Sequence, residues 1–324
     1  MATAIMLRTY GSPDVLVPET VEVGQPAANE LRIRQTAIGV NFHDVYVRTG
    51  LYKTLALPGI PGIEGAGVVE QVGPGTEGFA PGDRVAYITR QYGAYASERL
   101  LPVHLAVKLP ADVSEELAAS NFLKALTAEV LVNRVHAVAA GQFVLVHAAA
   151  GGVGKLLVQW ASRKGAIVIG TAGSAEKAAI AKAAGCAHAI NYREEDFAAR
   201  VREITNGQGV HVAYDAVGRD TFDGSLECLR ARGHLVNYGQ ASGPIPPFDI
   251  SRLMPRSNSL TRPSVFNYAA EPALYREMAA NVFAAFSDGT LSRETGQAFA
   301  LAAAADAHRA LESRERATSI ILKP

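Results

Sequence analysis

The stretch Val144-Leu145-Val146-His147-Ala148-Ala149-Ala150-Gly151-Gly152-Val153-Gly154 constrains this chain more than any other. An apolar run gives way to a turn of small residues. Val153, Leu156, Leu157 and Trp160 then recur at helical spacing, so the segment reads as strand, tight turn, helix. A turn without bulky side chains lets the backbone approach a pyrophosphate. Its charge meets free N–H groups and the positive end of the helix dipole. Gly151 and Gly154 match the second and third glycines of the dinucleotide fingerprint, and Ala149 stands at the first. The plain alternative is a strand-to-helix turn with no ligand. The legible strand and helix on either side favour a cofactor, cradled by Ala150, Gly151, Gly152 and Val153.

The pattern around this turn sets the fold class. From Gly141 onward, strand-like runs at 143–147, 167–171, 187–191, 210–215, 234–238 and 259–261 alternate with helical patterns at 175–184, 197–205 and 221–229. Such alternation predicts an α/β doubly wound parallel sheet. Residues 1 to about 110 differ: short β-rich runs such as 31–34 and 67–72 lie between turns like Gly73-Pro74-Gly75 and Ala80-Pro81-Gly82-Asp83. That texture predicts a compact β-rich module. Ser114 can cap a helix running to about Arg134. After Arg262-Pro263, helices near 272–286 and 302–311 and a strand at 319–322 make a tail that returns to complete the first module.

Charge narrows the function classes. In 324 residues, 31 basic side chains balance 31 acidic ones, which leaves no electrostatic footprint for nucleic acid or an anionic membrane. No apolar run is long enough to span a bilayer, the first residues do not read as a signal peptide, and Cys186 and Cys228 are the only cysteines. These features predict a cytoplasmic protein without a disulfide framework.

Several segments carry a family resemblance. They are Asn41-Phe42-His43-Asp44-Val45-Tyr46-Val47-Arg48-Thr49-Gly50-Leu51-Tyr52, Pro61-Gly62-Ile63-Glu64-Gly65-Ala66-Gly67, Phe122-Leu123-Lys124-Ala125-Leu126-Thr127-Ala128, Asp215-Ala216-Val217-Gly218 and Thr261-Arg262-Pro263-Ser264. With the glycine turn, they make the chain resemble the quinone oxidoreductase and zeta-crystallin family of medium-chain dehydrogenases/reductases. The resemblance implies a GroES-like β-rich catalytic domain from 1–124 and 264–324, and a Rossmann NADPH-binding domain at 125–263. It also implies a homodimer, and a substrate site in the cleft between the domains. Two departures stand out: Thr318-Ser319 replaces the Gly-Lys that many relatives carry before the final strand, and Ala216 replaces a nearby Ser or Cys.

The resemblance also assigns site residues. Asn41 and Tyr46 would lie near the nicotinamide, with Tyr52 at the substrate entrance; read without it, the tyrosines are half-buried β or turn residues. Zinc-dependent members carry Cys where this chain has Asn41 and His where it has Ile63, so no metal is expected. At the end of the second strand, Gly173, Ser174 and Lys177 stand where an NAD enzyme places an acidic ribose ligand, which favours NADPH. Ser174 is otherwise an N-cap and Lys177 a surface residue. Tyr192 would approach the adenosine phosphate, Thr127 would bond the cofactor or its own helix, and Val217, Tyr238, Gly239 and Arg262 would close the far wall. Arg262 alternatively serves as a salt-bridge partner. The expected activity is hydride transfer from NADPH to a quinone or related conjugated carbonyl. The alternatives are reduction of an enone or enoyl double bond, and a cofactor-binding structural protein of the crystallin kind.

Overall fold

The computed structural model describes residues 1–313 and 319–324; Thr318 lies outside the described residues. It divides into two compact units, one of residues 1–123, 270–287 and 293–324, the other of residues 124–269 and 288–292.

The first unit is built on a mixed sheet. Among the described residues its strands run in the order Gln297–Ala300, Ile320–Lys323, Glu30–Val40, Glu64–Val72, Arg84–Ile88, Ala106–Lys108, and Glu98–Pro102 also pairs with Glu30–Val40. Leu31, Ile33 and Ala37 alternate onto the buried face, as a half-buried strand requires. Register shifts between Arg32 and Ile33 and between Gln35 and Ala37 bend this long strand. The helix Pro272–Ser287 buries Met278, Val282 and Phe286 here, and its Phe283 ring stacks on Phe122 at 5.3 Å. Inside this β-rich unit, Phe42–Arg48 is a helix, so Tyr46 is helical rather than a β residue. Asn41-Phe42-His43-Asp44 in fact reads as an N-cap with an acidic third residue, and a capping box joins Asn41 and Asp44.

The second unit carries a six-stranded parallel sheet among the described residues. Its order is His188–Asn191, Ile167–Ala172, Phe143–Val146, Val210–Asp215, Leu229–Asn237, Ser259–Thr261. In chain order that is 3-2-1-4-5-6, the doubly wound dinucleotide-binding arrangement. Leu156, Leu157, Trp160 and Ala161 of the helix Gly152–Arg163 are buried, which is the face the sequence spacing marks. Leu145, Ile169, Ile190, Ala213 and Leu235 join one apolar cluster with Phe222 and Val201 from the covering helices. The helix expected to reach Arg134 instead changes to a wider π turn at Val130–Val135.

Candidate active site

At the switch point of the parallel sheet, the chain leaves Val146 and turns at Ala148 with φ +51°. No glycine marks this left-handed residue. Gly151 N–H donates to the Ala148 carbonyl at 2.8 Å, which closes the turn, and Gly151 then caps the helix Gly152–Arg163. A glycine cap offers no side-chain acceptor, so the first-turn N–H groups are left for an anion. A Cβ at Gly154 would lie 2.1 Å from the Ala148 carbonyl oxygen, and one at Gly152 would lie 2.9 Å from Lys124 Cδ. Side chains there would collide with the turn's backbone and with Lys124, so the two glycines let the helix start pack close against the strand end.

His147 supports the turn from below. Ser225 Oγ donates to the Thr221 carbonyl at 2.7 Å, so it must accept from His147 Nε2, 2.8 Å away. Thr171 Oγ1 then donates to Nδ1 at 2.8 Å. Burial lowers the His147 pKa, against the pull of Asp215, and keeps the ring neutral.

At the end of the second strand, Ser174 caps the helix Ala175–Ala183, accepting from Lys177 N–H at 3.2 Å. The cap uses the oxygen and leaves the Ser174 O–H hydrogen, so capping and phosphate binding are compatible. Tyr192 is exposed, and its hydroxyl lies over Gly173, where a Cβ would approach it to 2.6 Å. Gly173, Ser174, Lys177 and Tyr192 therefore form one group. Across the switch point, Asp215 Oδ1 accepts from Val217 N–H at 2.7 Å and Gly218 N–H at 3.1 Å. Its carbonyl takes the Tyr238 and Gly239 N–H groups at 2.9 and 3.3 Å. The Tyr238 hydroxyl is buried and has no hydrogen-bond partner among the described residues. Arg262 donates to Asn237 Oδ1 and, at 3.0 Å, to Gln240 Oε1; both acceptors are amides, and among the described residues no ion pair is formed there. Thr127 lies on the helix Glu115–Glu129, half-buried.

The catalytic candidates cluster in the first unit. Tyr46 and Tyr52 pack edge to face with centroids 5.2 Å apart, and Tyr52 N–H donates to the Tyr46 carbonyl at 3.0 Å. His43 packs on Tyr52 at 5.5 Å and stacks with Tyr92 at 5.9 Å, where its Nε2 meets the Tyr92 hydroxyl at 3.1 Å. Burial foremost, and Arg90 second, push the His43 pKa down to about 4, so it is neutral at pH 7. Asn41 is buried, its Nδ2 donating to Glu64 Oε2 at 2.7 Å and its N–H to Asp44 Oδ2 at 2.8 Å.

Two family models match the chain: "Alcohol dehydrogenase GroES-like domain" over residues 27–111 and "Zinc-binding dehydrogenase" over residues 152–283. The chain is 42% identical to a 2-haloacrylate reductase of a Burkholderia species, over 100% of this chain and 99% of that one. It is 41% identical to a quinone oxidoreductase of Pseudomonas aeruginosa over 100% of both. The chain belongs to the quinone oxidoreductase family of medium-chain dehydrogenases/reductases. Its fold agrees with the quinone oxidoreductase of Pseudomonas syringae at TM-score 0.97, 43% identity and full coverage of both chains. It agrees with the Escherichia coli quinone oxidoreductase complexed with NADPH at TM-score 0.96 and 40% identity, covering 99% of this chain and 100% of that one.

In this family member, the described residues include no group of three or more His, Cys, Asp or Glu side chains that could hold a metal ion. No helix among them is long and apolar enough to cross a membrane. Sequence reasoning missed the residues behind Asn41. Tyr95 donates to Asp44 Oδ2 at 3.3 Å, His308 lies 2.9 Å from the Tyr95 hydroxyl, and Arg48 joins His308 Nδ1 at 3.3 Å to a bidentate pair with Glu312. Arg48 is always a donor, so His308 Nδ1 accepts and its Nε2 carries the proton. His308 lies 213 positions from Tyr95, a separation no local motif could bridge.

Proposed function

We propose that this chain is a zinc-independent NADPH:quinone oxidoreductase that reduces a quinone or related conjugated carbonyl. The observation that carries the reading is the glycine-capped helix beside a second strand end offering Gly173, Ser174 and Lys177, with Glu176 in the first turn of the helix Ala175–Ala183, where it favours the helix dipole. The first-turn N–H groups at Gly152 and Val153, beside the turn that Gly151 closes, would hold the pyrophosphate, and Ser174 with Lys177 would hold the 2′-phosphate. Tyr192 would cover the adenosine side. Thr127, Ala150, Val217, Tyr238, Gly239 and Arg262 would bound the rest of the cofactor, the bare Tyr238 hydroxyl being available for a polar contact.

Bound NADPH supplies the hydride. Asn41, Tyr46 and Tyr52 would orient the acceptor beside it, with the aromatic wall of Tyr46, Tyr52 and His43 suited to a flat conjugated ring. A reduced quinone leaves negative charge on a phenolic oxygen, which water can protonate, so the chemistry asks for neither metal nor a dedicated acid. The family resemblance further supports a homodimer, and two isolated cysteines without a disulfide framework support a cytoplasmic location.

A second reading has its own support: one relative, at 42% identity, is a 2-haloacrylate reductase, and a haloacrylate contains a conjugated carbon–carbon double bond. A panel of quinones run against enones, enoyl thioesters and haloacrylates, with and without exhaustive chelation, separates the two. Faster kcat/KM with quinones, unchanged by chelator, is the expected result. Preference for the alkenes would shift the assignment to a double-bond reductase, and chelator-sensitive activity would overturn zinc independence.

A further inference from the structure

Asn41 is held by a carboxylate that none of the assignments above uses. Glu64 opens the strand Glu64–Val72 and is fully buried. One oxygen, Oε2, accepts from Asn41 Nδ2 at 2.7 Å, and the other, Oε1, accepts from Leu123 N–H at 3.0 Å. Space for this carboxylate is built into the neighbouring strand. A Cβ at Gly39 would sit 2.6 Å from Glu64 Oε2 and 2.5 Å from the Ala119 carbonyl oxygen, so any side chain there would displace the pair.

The chemistry of the contact fixes a direction. A carboxylate whose two oxygens both accept can be met only by the NH2 side of a carboxamide, never by its oxygen. Glu64 therefore takes the NH2 side of the Asn41 amide, the orientation that also presents its oxygen to the Asp44 N–H of the capping box. The capping box with Asp44 anchors the same residue twice: the Asn41 N–H donates to Asp44 Oδ2, and the Asn41 side chain accepts from the Asp44 N–H. One Nδ2 hydrogen is spent on Glu64, and the second has no acceptor among the described residues.

We propose that Glu64 is a positioning residue that sets Asn41 as a hydrogen-bond donor toward the acceptor's carbonyl oxygen, where negative charge grows during hydride transfer. This rests on the reading of Asn41 as part of the reductase site. A donor aimed at a developing oxyanion is worth roughly a hundredfold to a thousandfold in rate, so its loss is measurable.

The test uses the full-length enzyme and three variants, each followed by kcat, the primary deuterium isotope effect with NADPH labelled at the transferred hydrogen, NADPH Kd and Tm. Glu64→Gln places an amide against an amide. Turnover should fall at least about tenfold and the isotope effect should rise as hydride transfer becomes more rate-limiting, while NADPH Kd stays within about threefold. The exchange Asn41→Asp with Glu64→Gln rebuilds the contact with reversed polarity. The introduced amide keeps an oxygen for Leu123 N–H and gives an N–H to the introduced carboxylate, which also still caps the helix. That pair should restore Tm but leave turnover as low as in Asn41→Leu. Recovery of kcat together with Tm would show the contact to be structural only and overturn the proposal. So would a Glu64→Gln enzyme with unchanged kcat and isotope effect beside an impaired Asn41→Leu. Full turnover by Asn41→Leu would instead overturn the reading of the site itself, and the proposal with it.

Discussion

The two units build their candidate sites from different materials. In the parallel-sheet unit the candidate cradle is main chain: the helix-start N–H groups of Gly152 and Val153, a turn closed by the Gly151 N–H on the Ala148 carbonyl, and glycines where a Cβ would collide with neighbouring atoms. All of it comes from one continuous stretch. In the β-rich unit the site is made of side chains, and its parts come from residues 41, 44, 64, 95 and 308. A backbone cradle depends on local conformation. A side-chain network depends on every member keeping its protonation state and partner. The second should therefore be the more sensitive to pH and to distant substitutions.

The largest expected effect tests that sensitivity. Burial, assisted by Arg48, holds the His308 pKa down to about 3, whereas an unfolded histidine titrates near 6.5. The folded state keeps the ring neutral, so its contribution to stability is complete above pH ~6.5 and is lost as pH falls toward 3. Between pH 6.5 and 4.5 that loss is roughly 2–3 kcal/mol. The groups facing the ring are Arg48 and the Tyr95 hydroxyl, with Asp44 behind it. His308→Gln should cost some stability at neutral pH and flatten the acid slope of urea-unfolding free energies. An unchanged slope would place the acid-sensitive group elsewhere, the buried His147 of the other unit being the first to examine.

What was legible in the sequence follows the same division. The strands at 143–146, 167–172 and 210–215 and the buried face of the helix Gly152–Arg163 were readable because period and composition are local properties. The glycine turn between the first strand and that helix was readable for the same reason. The left-handed Ala148 was not, since alanine carries no mark of that conformation. The helix Phe42–Arg48 was hidden by its β-branched and aromatic content, though its capping pattern was present. The strand Gln297–Ala300, mostly exposed at a sheet edge, lacks the apolar alternation that reveals a strand. Glu64, Tyr95 and His308 look unremarkable one by one and acquire a role only when the fold gathers them.

A smaller effect probes the cradle side. Lys177→Ala removes the ammonium of the residue whose N–H Ser174 caps, at the strand end where Gly173 meets Tyr192. A charge-assisted bond to a phosphate is worth about 1.5–3 kcal/mol, so NADPH Kd should rise roughly 10–100-fold while NADH binding barely changes. Fluorescence titration with both cofactors reads this directly. Equal weakening would mean that Lys177 acts only on the first turn of its own helix, and the backbone would then be the whole of the cradle.

The smallest effect is expected at Tyr52, and it bears on the reaction itself. After hydride reaches a quinone, the remaining charge sits on a phenolic oxygen with a pKa near 10, judged from tyrosine, and solvent can supply the proton. An alkene would leave an enolate whose carbon must be protonated, a step in which a placed acid contributes roughly 10²–10⁴-fold. Tyr52 packs on Tyr46 and His43 through its ring, so Phe keeps the packing and removes only the hydroxyl. Tyr52→Phe should lower quinone turnover by less than about tenfold, mostly through acceptor KM, because an acid is not required. A fall of several hundredfold in kcat with NADPH affinity intact would identify the hydroxyl as an obligatory proton donor. In that event the side-chain half of the site would be performing acid catalysis as well as orientation, and double-bond reduction would be the better description of the enzyme.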